Sequence, residues 1–343
     1  MGRSGAVGLS ECTGLDEKIG TGYHFVNILY PFAVDRMDGF DYFQTPWPVG
    51  PPGPTSPDAQ RPCGPGLIWR NQRNSLGKES GMAIELELEG KSAAVTGGSV
   101  GIGKAIAFKL AAEGVSVAIC GRREEVLERA ADDIRARTGS MVLAVRADVT
   151  VPGAVEAFIQ KTVDAFGRLD VLINNVGASS AQSFESVTDQ IWRYDLELKL
   201  FSAIRASRAA IPHMRSAGGG RIINITTPGG KAPVQASVPT SVSRAAGIAL
   251  TKAMSKDYVR ENILVNTVCV GAIKSGQWVR RWKSEGERGS IEEFYRQCGK
   301  AVPVGRMGEA EEVADVVAFL VSARGSYITG TAINVDGGES ATV

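Results

Sequence analysis

The sequence is short of the residues that build metal sites and disulfide frameworks. It holds two histidines, His24 and His213, and five cysteines, Cys12, Cys63, Cys120, Cys269 and Cys298, in 343 residues. An odd number of scattered thiols without a C-x-x-C pair argues against a disulfide framework or a cysteine zinc site. Two distant histidines argue against a histidine metal site. The expectation is a cytoplasmic protein with reduced thiols and no bound metal. Charge of one sign is lacking too: 38 Lys and Arg against 37 Asp and Glu leave a formal charge of +1. Bulk electrostatics therefore gives no basis for binding nucleic acid. No apolar run reaches about 18 residues, so no membrane span is expected. The first residues have no apolar stretch of the kind a secretory signal needs.

What is present is unevenly spread. Residues 1–81 carry 9 of the 15 prolines and 13 of the 41 glycines, with Pro46, Pro48, Pro51, Pro52, Pro54 and Pro57 in one stretch. Proline fixes φ and removes a backbone donor, so neither a ladder nor a long helix can run through that stretch. The expectation is a disordered extension, with a Pro-rich docking arm as the alternative. A further alternative is that translation begins at Met82, because Lys78-Glu79 can be encoded by a purine-rich ribosome-binding sequence. Either way, 82–343 has the length of one α/β domain.

From Met82 onward, short β-rich runs alternate with amphipathic ones. Strands are expected at 92–96, 115–120, 141–145, 171–174, 221–225, 263–268 and 332–335. Helices are expected at 104–113, 124–137, 154–166, 189–215, 241–259 and 311–322. Short, continuously apolar strands separated by helices indicate a parallel sheet covered on both faces. Right-handed crossovers make it a single Rossmann-like, doubly wound α/β sheet.

The segment Thr96-Gly97-Gly98-Ser99-Val100-Gly101-Ile102-Gly103 joins the first strand to the first helix. Glycines there permit a tight turn and let backbone N–H groups approach a pyrophosphate at the positive end of the helix. The candidate cofactor-binding residues in it are Gly97, Ser99, Gly101, Ile102 and Gly103. After the second strand, where an NAD enzyme places an acid for the ribose 2′-OH, the chain reads Cys120-Gly121-Arg122-Arg123. Guanidinium groups suit a 2′-phosphate, so the expected cofactor is NADP(H), with NAD(H) as the alternative and Arg122 as the reader. The competing view is that Arg122 and Arg123 are a solvated pair at a helix start.

These residues, read with Asn174-Asn175-Val176-Gly177, Gly220-Arg221-Ile222-Ile223-Asn224-Ile225, Ile263-Leu264-Val265-Asn266 and Val335-Asp336-Gly337-Gly338, resemble the short-chain dehydrogenase/reductase family. The resemblance covers nearly all of 86–338. It implies an NAD(P)-dependent oxidoreductase acting on a carbonyl or secondary alcohol, as a homodimer or homotetramer. It implies that Asp148 and Val149 meet the adenine, that Asn175 and Gly177 line the cofactor, and that Gly271, Ile273 and Ser275 flank the nicotinamide. Residues from Ser275 to about Lys300 would form a lid. Its Trp278, Trp282, Phe294 and Tyr295 point to a hydrophobic or ring-containing small-molecule substrate, or else merely pack the lid.

The catalytic residues depart from the family. Its members use Asn, Ser, Tyr and Lys, the last two as Y-x-x-x-K on one helical face. Here those positions fall on Lys199, Thr227, Thr240 and Arg244. A threonine hydroxyl is far less acidic than a phenol, and Arg stays protonated and cannot shuttle a proton. Lys199 is the nearby group that could titrate usefully if burial beside Arg244 lowered its pKa. Three readings follow: a reductase with a rewired site, a non-redox enzyme on the same scaffold, or a catalytically silent nucleotide-binding subunit. Halohydrin dehalogenases, relatives with Arg in place of the Lys, keep the Tyr and lose the glycine loop, the reverse of this chain. The plain alternative for Lys199 is a helix-surface lysine, and for the threonines a strand end and a helix cap.

Overall fold

The structure, a computed structural model, describes residues 85–343; the expectations placed on 1–81 and on Met82 lie outside the described residues. Seven parallel strands form one sheet, in the order β3-β2-β1-β4-β5-β6-β7. They are β1 (Ser92–Thr96), β2 (Ser116–Gly121), β3 (Val142–Arg146), β4 (Val171–Asn174), β5 (Gly220–Thr226), β6 (Ile263–Val270) and β7 (Ala332–Val335). The helices between them are α1 (Gly101–Ala112), α2 (Glu124–Thr138), α3 (Ala154–Phe166), α4 (Asp189–Leu196), α5 (Ser202–Ser216), α6 (Thr240–Tyr258), α7 (Gly276–Ser284), α8 (Ile291–Gly299) and α9 (Ala310–Val321).

The strands are buried on both faces because alternate side chains feed two cores. Ala93 and Val95 of β1, Val117 and Ile119 of β2 and Val268 and Val270 of β6 pack under α1, α2 and α9. Ala94, Ala118, Cys120, Ile263 and Val265 pack on the other face with Phe158 and Ile159 of α3 and Ala206, Ala210 and Met214 of α5. A shift of register by one residue would exchange the two sets, so the pairing of Ala93 with Val117 and Val171 is firmly specified.

The strand order reverses between β1 and β4, which run side by side with β2 and β5 on their outer flanks. In a doubly wound sheet this is where the carboxyl ends of the strands open a crevice. Asp170 pins the other end of this pair. Its carboxylate accepts from the Ser92 amide at 2.9 Å and from Arg168 Nε and Nη2 at 2.8 and 2.6 Å.

The expected strands all form, and so do the expected helices apart from the one over 189–215. The helices α7 and α8, within the segment read as a lid, had no helical reading in the sequence. The stretch expected as one helix over 189–215 is interrupted by a π-helical turn, Glu197–Phe201, between α4 and α5. π-turns inside helices mark functional sites frequently, and this one contains Lys199.

Candidate active site

Two groups of residues meet at the carboxyl ends of the central strands. The first is the glycine loop. Gly97 and Gly101 have φ of +68° and +57°, in the left-handed region that favours glycine. A Cβ on Gly103 would lie 2.3 Å from the Gly97 carbonyl oxygen and 2.4 Å from Asn175 Nδ2, so only glycine lets α1 start this close to β1. Val100 precedes α1 without a side-chain cap, and the first turn has no acidic residue. The first N–H groups and the positive end of the helix dipole are thus left for an anion. Asn175 does not simply face the crevice: its Nδ2 donates to the carbonyls of Thr96 and Gly97 at 3.0 and 3.1 Å and holds the loop in shape.

The other expected cofactor residues converge on this loop. A Cβ on Gly101 would be in ordinary contact with Ser275 Cβ at 3.5 Å, so the loop and the start of α7 are neighbours. Gly271 is held against Asp336, and Ile273 is buried over Gly308. Ser99 sits beside Gly121. Arg122 is exposed, and its Nη1 lies 3.9 Å from Asp148 Oδ2. Asp148 in turn accepts from the Thr150 amide at 3.0 Å and the Thr150 hydroxyl at 2.7 Å, while Val149 is buried behind it. A glycine-only cradle, an uncapped helix start and an exposed guanidinium just past β2 suit a dinucleotide with a 2′-phosphate.

The second group lies under the ends of β4 and β5. The Lys199 side chain is 1% exposed and its partner Asp195 is 0% exposed, so Lys199 is not a surface lysine. Asp195 stands four residues before Lys199, on the same helical face, and the two are ion-paired. Lys199 Nζ also donates to Thr240 Oγ1 at 2.9 Å. The Thr240 oxygen accepts a second hydrogen bond, from the Ser180 amide at 2.9 Å. Among the described residues, no acceptor takes the Thr240 hydroxyl proton itself. Asp195 accepts from Ser243 Oγ at 2.6 Å on its other oxygen. Thr240 and Ser243 lie on adjacent turns of α6, so α6 grips the Asp195–Lys199 pair at two points.

Arg244 follows Ser243. Its Nη1 donates to the Ile225 carbonyl at 2.9 Å, and its Nη2 lies beneath Gly177, where a Cβ would meet it at 2.3 Å. Thr227 stands just past the end of β5, and Gly230 packs on the Arg244 backbone in a single 3₁₀ turn, Pro228–Gly230. Arg244 Nε and Thr226 Oγ1 are buried without a protein partner. Both residues, with Lys199 and Ser243, line an internal cavity of about 20 Å³, room for one water.

Burial is the largest influence on Lys199 and pushes its pKa down to about 8; Asp195 opposes this, and the charge of Arg244 adds to it. Burial also lowers Arg244, to about 10. Near neutral pH, Lys199 is therefore an acid that can give up its proton, while Arg244 remains charged.

Sequence reasoning had not found Asp195, Ser243 or the buried polar ladder beneath them. Asn174 Nδ2 donates to Asn224 Oδ1 at 2.9 Å, Asn224 Nδ2 to Thr251 Oγ1 at 2.8 Å, and Thr251 meets Thr267 at 2.7 Å. The ladder joins β4, β5, α6 and β6 and fixes where α6 presents Thr240. In the segment expected as a lid, Trp278 and Tyr295 pack against Ala272, Val302 and Met307. Phe294 lies 6.3 Å from the rings of both Trp278 and Tyr295. Trp282 and Phe294, with Glu285 and Arg288, line an open cavity of about 310 Å³.

The fold and much of the sequence are shared with known proteins. The family model described as enoyl-(acyl carrier protein) reductase matches residues 97–340. The 3-oxoacyl-(acyl-carrier-protein) reductase FabG of Chlamydia muridarum is 34% identical over 251 residues, 73% of this chain and 98% of that protein. The crystal structure of L-sorbose reductase from Gluconobacter frateurii, complexed with NADPH and L-sorbose, superposes with a TM-score of 0.73 at 31% identity, covering 76% of this chain and all of that one. An NADPH-bound short chain oxidoreductase from Pseudomonas aeruginosa PAO1, described as containing an atypical catalytic center, superposes with a TM-score of 0.69 at 33% identity, over 74% of this chain and 98% of that one. With a family model matched over most of its length and relatives above 30% identity covered almost completely, the chain belongs to the short-chain dehydrogenase/reductase family of NAD(P)-dependent oxidoreductases.

Proposed function

We propose that the chain is an NADP(H)-preferring oxidoreductase that interconverts a ketone and a secondary alcohol, with Lys199 and Thr240 in place of the family's proton-donating tyrosine. The observation that carries this reading is the buried Lys199 ammonium hydrogen-bonded to a threonine hydroxyl that, among the described residues, has no acceptor of its own.

NADPH, when bound, supplies the hydride to the carbonyl carbon. Gly97, Ser99, Gly101, Ile102 and Gly103 would hold its pyrophosphate, Arg122 its 2′-phosphate, Asp148 and Val149 its adenine side, and Asn175, Gly177, Gly271, Ile273 and Ser275 its nicotinamide half. The chain supplies the proton. Thr240 accepts from Lys199 and from the Ser180 amide, so its O–H is left to donate to the carbonyl oxygen. As the hydride arrives, that proton passes to the developing alkoxide and Lys199 replaces it. The alcohol leaves, and Lys199 is left as a neutral amine that solvent reprotonates. In oxidation the same steps run backward. Arg244 keeps its charge throughout and favours the neutral form of Lys199 after transfer. Thr227, just past the end of β5, would be the second hydroxyl to orient the substrate oxygen. The aromatic lid favours an apolar or ring-containing substrate. Tyr194, Phe201 and Val242, each about half exposed, offer apolar faces through which a dimer or tetramer would pack.

The experiment is a fluorescence titration of the full chain with NADPH and NADH, followed by NADPH oxidation with a panel of aliphatic and aryl ketones. Tight NADPH binding, weak NADH binding and turnover of an apolar ketone are expected. Absence of binding to either nucleotide would refute the reading and leave a scaffold put to non-redox or structural use.

A further inference from the structure

Among the described residues, Asp195 is the one buried carboxylate against Lys199, and the family resemblance assigns it nothing. Unpaired, a charge at 0% exposure is costly, and a carboxylate there persists only with partners. Asp195 has two: Lys199 on one oxygen and the Ser243 hydroxyl, at 2.6 Å, on the other. The charged groups that face Lys199 are Asp195 from α4 and Arg244 from α6. With one cation and one anion beside it, Lys199 sits between opposed influences. The π-turn that carries Lys199 is docked on α6 by the same contacts, because Thr240 and Ser243 reach the pair from one helix.

We propose that Asp195, clamped by Ser243, is a positioning residue: it keeps Lys199 protonated and aimed at Thr240, and Ser243 moderates its hold by taking part of the carboxylate charge. This rests on the reading of Lys199 as the proton source. It adds that the Asp195–Ser243 contact sets the pH range in which that source works. The two variants then act in opposite directions. Asp195→Asn removes the anion and leaves Lys199 beside Arg244 alone, so the lysine loses its proton at lower pH. Ser243→Ala leaves the anion undiluted on Lys199, so the lysine keeps its proton to higher pH.

The test is a nuclear magnetic resonance titration of the full chain labelled at lysine ¹³Cε, with Lys199→Ala assigning the signal, followed by kcat against pH for reduction of the best ketone. The wild-type Lys199 signal should titrate near 8. In Asp195→Asn it should move down by about one pH unit, and in Ser243→Ala up by a few tenths, with the high-pH limb of kcat following in each case. Unchanged titration in Asp195→Asn overturns the inference. Should that variant not fold, a Ser243→Ala titration that stays put or moves down overturns it. If the resonance moves as stated while the kcat limb does not, Asp195 still sets the lysine but Lys199 is not the proton source. That outcome sinks the proposed function rather than the Asp195–Lys199 relationship.

Discussion

Lys199 Nζ and Thr240 Oγ1 lie 2.9 Å apart, one on the π-turn between α4 and α5, the other at the first residue of α6. The lysine is enclosed and the threonine is partly exposed, so the Thr240 hydroxyl stands between the ammonium and solvent. In the proposed function this pair is the proton donor.

The hydroxyl itself is the first point of test. Thr240→Ala should lower kcat on the order of 100-fold, while Thr240→Ser, which keeps the oxygen, should retain activity within a few-fold. Steady-state rates with NADPH and a turned-over ketone check this. Equal losses in the two variants would assign Thr240 a packing role.

Arg122 distinguishes the two nicotinamide cofactors. Arg122→Glu should weaken NADPH by about 10- to 100-fold and NADH by less than about threefold, because only NADPH presents a phosphate to it. Paired fluorescence titrations read the ratio. The contact with Asp148 is long and solvent-exposed, so its loss should leave Tm nearly unchanged.

Gly103 has no room for a side chain. Gly103→Ala should force the Gly97 carbonyl and Asn175 apart, cost about 1–3 kcal/mol of stability and abolish tight NADPH binding. Thermal melting and cofactor titration of the same preparation check both effects.

Asp170 tests the scaffold away from the chemistry. Asp170→Ala leaves the Ser92 amide without its buried acceptor and Arg168 without its pair, a loss of about 2–3 kcal/mol. Urea unfolding should show the lower midpoint, while the cofactor affinity of the folded protein is unchanged.

Much of this molecule is legible in one dimension. The apolar strands and the glycine loop obey short-range rules, so β1, α3, β4 and β7 begin and end where composition and turn residues place them. Lys199, Thr227, Thr240 and Arg244 stand out only when the chain is set against the pattern of the family it resembles. What the sequence hides is burial. An aspartate four residues before a lysine is an ordinary surface pair on most helices, and nothing local marks Asp195 as enclosed. The pair is buried because α6 crosses it, a contact spanning 48 residues between Asp195 and Ser243. The π-turn Glu197–Phe201 has no local sequence mark either, and α7 and α8 are short enough that Gly286, Gly289 and the polar residues around them mask their periodicity.

The most direct test is NADPH oxidation by the full chain with a ketone panel, wild type beside Lys199→Ala, with NADPH affinity measured on both. The account predicts turnover by the wild type, a fall in kcat of about 100-fold or more in Lys199→Ala, and the same NADPH affinity in the two proteins. Turnover undiminished by Lys199→Ala would contradict it and move the proton donor elsewhere in the crevice.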